Sequence, residues 1–283
     1  EQLVENARQF SPELLLVFKG TFVSADALRR LRALGIRTYC FYPDVSFLAH
    51  GPQIPKALPE YDWIFTTKTF GLTDMKEQLG VTRASLIHFG YDPDLHRPVP
   101  LSKSDRARFE CDVSYIGTWS AKKESLLADL LSQRPHLRLR VWGSQWWRSK
   151  SPVLAKAIGG HHVLGEDFVR AIRGSRINLS IMSEARQGSS KGDQVASRTF
   201  SVPACEAFVL HERTDEVLKF FREPEEIVCY GSFDELVSKI DRYLPDERER
   251  SAVAVRARDV VRARHSWDAR ILEILERHEA LST

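Results

Sequence analysis

Short apolar runs alternate with amphipathic helical patterns along the first third of the chain, and this alternation constrains the fold more than any other feature. The strand-like runs are residues 14–18, 38–42, 63–66 and 84–88. Residues 25–34 and 75–79 have helical spacing, and each segment ends at a glycine, Gly35 or Gly80. Strands separated by helices predict βαβ units, in which helices cover both faces of a parallel sheet.

A second series of the same kind begins after a break. Residues 89–100 contain several prolines and turn formers, so they can continue neither a helix nor a central strand. Beyond this linker the predicted strands are 113–116, 137–142, 176–181 and 208–211, and the predicted helices are 122–131, 216–221, 233–244, 247–264 and 267–278. We therefore expect an α/β fold of two Rossmann-like domains whose parallel sheets face a central cleft, with ligands at the carboxyl ends of the strands.

Composition limits the class of protein. The chain has 283 residues, of which 43% are hydrophobic, enough for two cores, and its net charge of +3 is dispersed, which argues against a nucleic-acid partner. The four cysteines lie far apart, without the spacing of metal ligands, and favour a reducing, cytoplasmic compartment. No apolar run is long enough to predict a transmembrane segment.

Residues 197–210 combine polar groups at a helix start with a buried continuation. We expect Pro203 in the first helical turn, where its missing N–H is tolerated, and Arg198 just before the helix. The free N–H groups of such a start attract phosphate, and a guanidinium can grip a diphosphate in bidentate fashion. An ordinary buried helix with a surface arginine explains the segment equally well.

Two further segments of the second half carry features of a phosphate or nucleotide site. Gly117 and Thr118 follow a predicted strand and precede a helix, so their N–H groups can face a phosphate, and Lys122 adds a positive charge one turn later. Residues 162–168, which include Gly165, are predicted to form a loop whose backbone could contact a nucleobase, or else a plain strand and turn.

The second half contains an ordered series of sequence blocks: residues 112–119 (DVSYIGTW), 175–179 (SRINL), 198–205 (RTFSVPAC), 221, 230–236 and 265–270. These blocks, with a looser match at 42–44 and 88–92, resemble the CgeB-like (spore maturation protein) glycosyltransferases of glycosyltransferase group 1. The resemblance implies the GT-B fold, with an N-terminal acceptor-side domain at 1–98, a nucleotide-sugar-binding domain at 99–264 and a terminal helix, 265–283, that packs back towards the first domain. The first half lacks the initial βα units of a full GT-B domain, so we expect it to be shortened.

The same resemblance implies an activity. A hexosyl group would pass from a nucleotide-diphosphate sugar to a glycan, protein or small-molecule acceptor, with peripheral membrane contact left open. Gly117, Thr118 and Lys122 would approach the diphosphate, Arg198 would neutralise it, and residues 163–168 around Gly165 would meet the base. Charge that develops on the leaving diphosphate would be stabilised by fixed cations and N–H groups, so no metal or other cofactor is expected.

The chain departs from the family at the helix start. Ser201 stands where a ribose-binding glutamate is usual, and Glu206 stands in the place of a glycine. Serine can still form a hydrogen bond, but without the charge that makes a carboxylate a strong acceptor. Asp193 lies eight residues before Ser201, the spacing of the paired acids in the wider group, and is therefore a candidate for contact with the donor sugar.

Candidates for a catalytic acid or base come from the first half. Asp44 follows a predicted strand, and Pro43 before it would stiffen the turn, although a turn-capping role fits Asp44 equally well. His88, at the end of another predicted strand, could face the diphosphate, or could be a structural hydrogen-bonding residue.

Three hypotheses follow for the function. The chain is an active nucleotide-sugar-dependent transferase, a catalytically degenerate GT-B protein that binds nucleotide or glycan, or a scaffold. Arg198 and Gly117 favour the first hypothesis, whereas Ser201 favours the second.

Overall fold

The computed structural model describes residues 1–159 and 162–282. The chain divides into two compact units, and neither is continuous in sequence. The first unit comprises Glu1–Phe89 and Ser183–Asp193, and the second comprises Gly90–Met182 and Gln194–Thr283. Each unit therefore consists of two separate stretches of sequence.

The first unit is built around a parallel sheet in the order β1-β2-β3-β4. Its strands are β1 (Leu14–Phe18), β2 (Arg37–Tyr42), β3 (Trp63–Thr66) and β4 (Ala84–Leu86). Its helices are α1 (Gln2–Phe10), α2 (Ala25–Ala33), α3 (Gln53–Ala57) and α4 (Thr69–Leu79), with a 3₁₀ turn at Leu58–Glu60. The Ser24 side chain caps α2 by accepting a hydrogen bond from the N–H of Ala27, and α4 ends at Gly80, whose φ of 68° suits glycine.

The second unit contains a parallel sheet in the order β6-β5-β7-β8-β9. Its strands are β5 (Cys111–Ile116), β6 (Leu139–Trp142), β7 (Ser175–Ser180), β8 (Val209–Glu212) and β9 (Val228–Tyr230). Its helices are α5 (Lys103–Phe109), α6 (Ala121–Gln133), α7 (Glu166–Gly174), α8 (Arg198–Ala204), α9 (Val217–Phe220), α10 (Phe233–Tyr243), α11 (Glu247–Arg264) and α12 (Trp267–Ser282), with a 3₁₀ turn at Trp146–Arg148.

Strand order in the second sheet has a direct functional meaning. The chain passes from β5 outward to β6 and then returns to place β7 on the other side of β5, where Val113 pairs with Ile177. The order of the strands therefore reverses between β5 and β7. In open α/β sheets, ligands bind beside the carboxyl ends of the two strands that flank such a switch point.

The buried strands explain why the sequence forms parallel sheets. In β2 every residue after Arg37 is buried, and in β5 every residue before Ile116 is buried. A strand covered on both faces by helices requires such a continuous buried run, whereas a strand with one solvated face would alternate. Each unit has its own apolar cluster, centred on residues such as Leu31, Tyr42 and Ile64 in the first and Tyr115, Leu179 and Leu210 in the second.

The structure confirms the α/β class and the two parallel sheets that the sequence predicts. The strands predicted at 14–18 and 63–66 and the helix predicted at 247–264 have those bounds in the structure. The sequence pattern missed α3, α5, α7 and β9, which are short elements of five, seven, nine and three residues.

The division into units differs from the predicted domains in three places, one of which is the assignment of residues 183–193 to the first unit. The boundary falls between Phe89 and Gly90, so most of the proline-rich linker belongs to the second unit, where the backbone of Tyr91 pairs with Ser266. Residues 265–283 also belong to the second unit. Among the residues described, no helix combines the length and apolar character needed to cross a membrane.

Candidate functional site

The loops that follow β5 and β6 are tied together at the carboxyl end of the second sheet. Gly117 donates its N–H to the carbonyl of Trp142 at 2.9 Å, and its own carbonyl accepts from the Trp146 indole at 2.8 Å. The Thr118 hydroxyl lies 2.7 Å from that of Ser144. This network fixes the turn and uses the Gly117 N–H, which the sequence predicts to face a phosphate, whereas Thr118 is exposed to solvent.

Arg198 lies at the switch point between β5 and β7. A β-carbon added at Gly117 would come within 3.0 Å of Nη1 of Arg198, and Nη2 donates to the carbonyl of Ile181, just beyond β7, at 3.4 Å. The same β-carbon would lie 2.5 Å from the Tyr115 hydroxyl, so glycine at position 117 leaves room for both side chains beside the end of β5. The structure thus brings together Arg198 and Gly117, two residues singled out from the sequence.

Arg198 has no anionic partner among the described residues. Its guanidinium carbon lies 5.2 Å from the ring centroid of Tyr115, and its Nε is buried without a hydrogen bond inside the described part of the chain. A half-buried arginine held by a ring face and one carbonyl retains donors for an anion that enters from solvent. This is the arrangement expected of a phosphate-binding arginine.

The second predicted cation is already engaged. Nζ of Lys122 donates to both carboxylate oxygens of Glu212, at 2.6 and 2.9 Å, and to the carbonyl of Met182 at 3.2 Å. Glu212 ends β8 and also accepts from the N–H of Met182 at 2.8 Å. The Lys122 charge is therefore balanced by a carboxylate on a neighbouring strand.

A buried histidine supports the start of α8. His211 donates Nδ1–H to the carbonyl of Glu212, so Nε2 accepts from the hydroxyl of Thr199 at 2.9 Å. Burial lowers the pKa of His211 to about 4, with a smaller contribution from the charge of Arg198, and keeps the ring neutral. The Thr199–His211 bond fixes the residue next to Arg198 to β8.

The start of α8 differs from the prediction. Arg198 is its first residue, and Pro203 lies inside the helix rather than in its first turn. The helix has seven residues, and no side chain caps it. Pro203 lies close to its end, so the helical hydrogen bonds that proline removes are few. Ser201 is buried, and its hydroxyl has no hydrogen bond within the described residues.

Glu206 adopts the backbone conformation of the glycine that it replaces. Its φ is 53°, in the left-handed region, directly after the end of α8. Its carboxylate pairs with Arg258 on α11 at 2.7 Å. Glu206 thus has a structural role, in which its carboxylate forms an ion pair with Arg258.

Only half of the segment predicted to face a nucleobase is a loop. Gly165, with φ 54°, precedes α7, and Glu166 and Asp167 stand in its first turn, where acidic side chains favour the helix dipole. Phe168 of this helix lines a narrow crevice together with Arg198 and Val202. An aromatic ring therefore lies on the same crevice as the candidate phosphate arginine.

In the first unit, Asp44 is the centre of a charged cluster beyond β1 and β2. Oδ2 of Asp44 lies 2.7 Å from Nζ of Lys19 and 3.1 Å from Nε2 of His50. Lys19, directly after β1, has a φ of 68°, a conformation that is strained for a side-chain-bearing residue. Desolvation is the main cause that lowers the pKa of His50.

The other predicted residues of this unit have distinct surroundings. His88 is half-buried and lies two residues beyond β4. Asp193 belongs to the first unit, where its carboxylate lies 2.5 Å from Nζ of the buried Lys68. The segment 183–193 is also fixed by a hydrogen bond from the Ser190 N–H to Asp74 at 2.9 Å.

Sequence reasoning missed Glu212, His50 and Tyr115. Glu212 directly follows a predicted strand, so the rule that selected Asp44 could have found it. His50 is linked to Asp44 only by tertiary structure, and Tyr115 reads as a core residue inside a strand. The described residues contain no cluster of three or more histidine, cysteine, aspartate or glutamate side chains arranged for a metal.

Comparisons with known proteins agree with this architecture. Residues 122–276, more than half of the chain, match the family model described as "Glycosyl transferase-like". No curated protein sequence matches the chain significantly.

Solved structures share the fold at low sequence identity. HepE of Anabaena, in complex with UDP and glucose, is 14% identical with a TM-score of 0.71, over 99% of this chain and 82% of that chain. A glycosyltransferase from Rickettsia africae is 12% identical with a TM-score of 0.68, over 100% and 80%. Sucrose-phosphate synthase from Thermosynechococcus elongatus is 13% identical with a TM-score of 0.66, over 99% and 77%. The chain therefore belongs to the glycosyl transferase-like family and has the two-sheet α/β fold of the GT-B glycosyltransferases.

Proposed function

We propose that this protein transfers a hexosyl group from a nucleotide-diphosphate sugar to an acceptor, and that the second unit binds the donor. The observation that carries the proposal is Arg198, a half-buried guanidinium without an anionic partner in the described structure, beside Gly117 at the strand switch point. Ligands of parallel α/β sheets bind at this position. The family match over residues 122–276 supports glycosyl transfer as the reaction.

The chemistry assigned to Arg198 is electrostatic. Cleavage of the bond between the sugar and the diphosphate leaves negative charge on the leaving group, and a preorganised guanidinium stabilises that charge in the transition state. The N–H groups of Gly117 and Trp119 are already donated to the carbonyls of Trp142 and Ser144, so the Thr118 N–H and hydroxyl would assist. This arrangement supports our proposal that the reaction needs no metal.

Lys122 has a conditional part in this scheme. Its ammonium would reach a phosphate only by sharing or leaving Glu212. We propose that Glu212 holds the lysine in place until the donor enters, and that Phe168 and the turn at Gly165 contact the nucleobase. The ribose would meet the Ser201 hydroxyl, which is buried and without a partner in the described structure.

The first unit is our proposed acceptor side. Asp44 and His88 remain the candidates for the acid or base, and His50 joins Asp44 because the two side chains are 3.1 Å apart. We propose Asp193 as a contact of the donor sugar, although Lys68 already neutralises its carboxylate. A CgeB-like subfamily and a cytoplasmic location, favoured by four buried thiols, are part of the same proposal.

The test begins with nucleotide binding to the full chain. UDP, GDP, ADP and TDP are compared by thermal shift, with UDP as the first probe because HepE was solved with it. We expect one of them to stabilise the protein, and Arg198→Gln to abolish that stabilisation. Arg242→Gln is the matched control, since Arg242 also lies over a tyrosine ring, 4.9 Å from the Tyr243 centroid. If no nucleotide stabilises the wild-type protein, donor binding is refuted.

Turnover separates the transferase from a second candidate function. Ser201 in place of the usual glutamate favours a degenerate protein that binds a nucleotide or glycan without catalysis. Hydrolysis of a radiolabelled UDP-sugar that is lost in Arg198→Gln supports the transferase. Tight nucleotide binding with no hydrolysis or transfer supports the degenerate binder.

A further inference from the structure

A second cavity of the second unit lies at the amino ends of the strands, opposite the Arg198 edge. Its volume is about 340 Å³. Its walls include Glu110 directly before β5, Ser175 at the start of β7 and Phe208 directly before β8, with α11 on one side. Because opposite edges of one sheet are a full strand apart, this cavity is separate from the candidate donor site.

Arginine side chains dominate the lining. The four are Arg106, Arg173, Arg176 and Arg250. Their guanidinium groups come from α5, from the end of α7, from β7 and from α11, so they converge on the cavity from different elements.

Three of these arginines have no carboxylate partner within the described part of the chain. Arg106 is exposed, and its side chain forms no hydrogen bond or ion pair there. Arg173 donates to the carbonyls of Cys205 and Glu206 at 3.3 and 2.6 Å. Arg250, 8% exposed, donates through Nη1 alone to two carbonyls, both at 2.6 Å. Arg176 lies 3.5 Å from Asp112, which is also paired with Arg138 at 2.9 Å.

The acidic residues of the lining do not balance this charge. Glu206 is paired with Arg258 at 2.7 Å, and Glu110 lies 3.8 Å from Arg138. Glu247 is exposed and forms no ion pair among the described residues, although its charge and that of Asp246 act on Arg250. Burial is the main cause that lowers the pKa of Arg250; the charge of Arg176 adds to it, and the two carboxylates oppose it. Arg250 is thus a buried arginine that lies beside a second arginine on the same cavity.

We propose that this cavity binds a small phosphate-bearing metabolite. Guanidinium groups that approach from several directions can donate hydrogen bonds to the three or more oxygens of a phosphate. Each guanidinium can donate two parallel N–H bonds to such a group. The volume is at the lower end of the range for small-molecule sites, larger than a single water and too small for a macromolecule. The proposal does not depend on donor binding, because none of the lining residues belongs to the Arg198 site.

Calorimetric titration with pyrophosphate tests the site. The full chain carrying Arg198→Gln is used, so that the candidate donor site does not contribute. We expect saturable binding of pyrophosphate. The affinity should fall at least about tenfold when the double substitution Arg106→Gln/Arg176→Gln is added, because charge-assisted hydrogen bonds contribute substantially to the free energy of binding. The matched control is Arg248→Gln, on exposed α11 surface outside the lining.

The outcomes distinguish the proposal from its alternatives. Equal melting temperatures of the double variant and the Arg248→Gln control establish that the fold is intact, because Arg106 and Arg176 are both exposed. Absence of pyrophosphate binding, or equal affinity in the double variant and in the control, overturns the proposal. A lipid source is tested with vesicles. If the protein binds vesicles that contain phosphatidic acid but not vesicles of phosphatidylcholine alone, and the double variant loses this binding, the phosphate belongs to a lipid headgroup at the same site.

Discussion

The guanidinium carbon of Arg198 lies 5.2 Å from the centroid of the Tyr115 ring, so an aromatic face, and no carboxylate of the described chain, holds the cation at the end of β5. A carboxylate partner would have neutralised the charge that an incoming diphosphate needs. A ring face attracts a cation without competing for its hydrogen-bond donors. The pair therefore orients the arginine and leaves it able to bind an anion.

We expect Tyr115→Leu to weaken nucleotide binding about three- to tenfold, because a partly desolvated cation–π contact contributes about 1 kcal/mol. Tyr115→Phe keeps the ring and is the control. The dissociation constant of whichever diphosphate the thermal-shift panel selects is measured for both variants. Equal losses in Leu and Phe variants would show that the ring face does not position Arg198.

We expect Glu212→Gln to bind UDP as tightly as the wild-type chain or a few-fold more tightly. The amide oxygen can still accept from the Met182 N–H, while the ammonium of Lys122 is released for phosphate. Lys122→Met should weaken binding. Calorimetry on both variants checks this, and weaker binding in Glu212→Gln would mean that the pair itself builds the site.

Stability should depend on pH through His211. Its pKa is lowered to about 4 in the folded state, so below about pH 6.5 the unfolded chain binds a proton that the folded chain does not. The free energy of unfolding should therefore fall as pH drops from 7 to 4, by about 3 kcal/mol from this residue. Urea unfolding at several pH values measures the slope.

The variant His211→Gln should lose that part of the slope, and His162→Gln, at an exposed histidine, should keep it. An unchanged slope in His211→Gln would contradict the assignment of a neutral, buried imidazole.

Substitutions of Glu206 should rank in an unusual order. Both Glu206→Gly and Glu206→Ala remove the ion pair with Arg258, but only alanine retains a β-carbon at a φ of 53°. Glu206→Gly should therefore be more stable than Glu206→Ala by about 1 kcal/mol in urea unfolding. At Arg248, inside α11, the order should reverse by a similar amount. Equal stability of the two Glu206 variants would show that the backbone relaxes at this position.

The fold was largely readable from the sequence because parallel strands leave a strong signal. The run at 14–18 is a continuous apolar segment, the run at 113–116 is interrupted only by Ser114, and each is followed by a helix that the pattern detects. The three-residue strand β9 and the short helix α5 carry too few residues for any periodicity. The helix α7 is short as well, and the two acidic residues after Gly165 are the local signal that marks its start.

The sequence identified a site residue only where a chemically suitable side chain stands at the end of a predicted strand or helix. Arg198 and Gly117 each stand at the end of an element, and the sheet brings them together. Lys122 was assigned from its position alone, and nothing in its neighbourhood reveals Glu212, ninety residues away along the chain. The same holds for His50 beside Asp44, since contacts made by tertiary packing have no local sequence signal.

The discontinuity of the first unit limits how this protein can be divided. The polypeptide leaves one unit for the other at Gly90, returns at Ser183 and leaves again after Asp193. A fragment that starts at Gly90 would carry residues 183–193 without Lys68 and Asp74, the partners that hold Asp193 and Ser190. Such a fragment should be cut by proteases within that stretch, so dissection of this protein by truncation requires a short replacement linker from Met182 to Gln194.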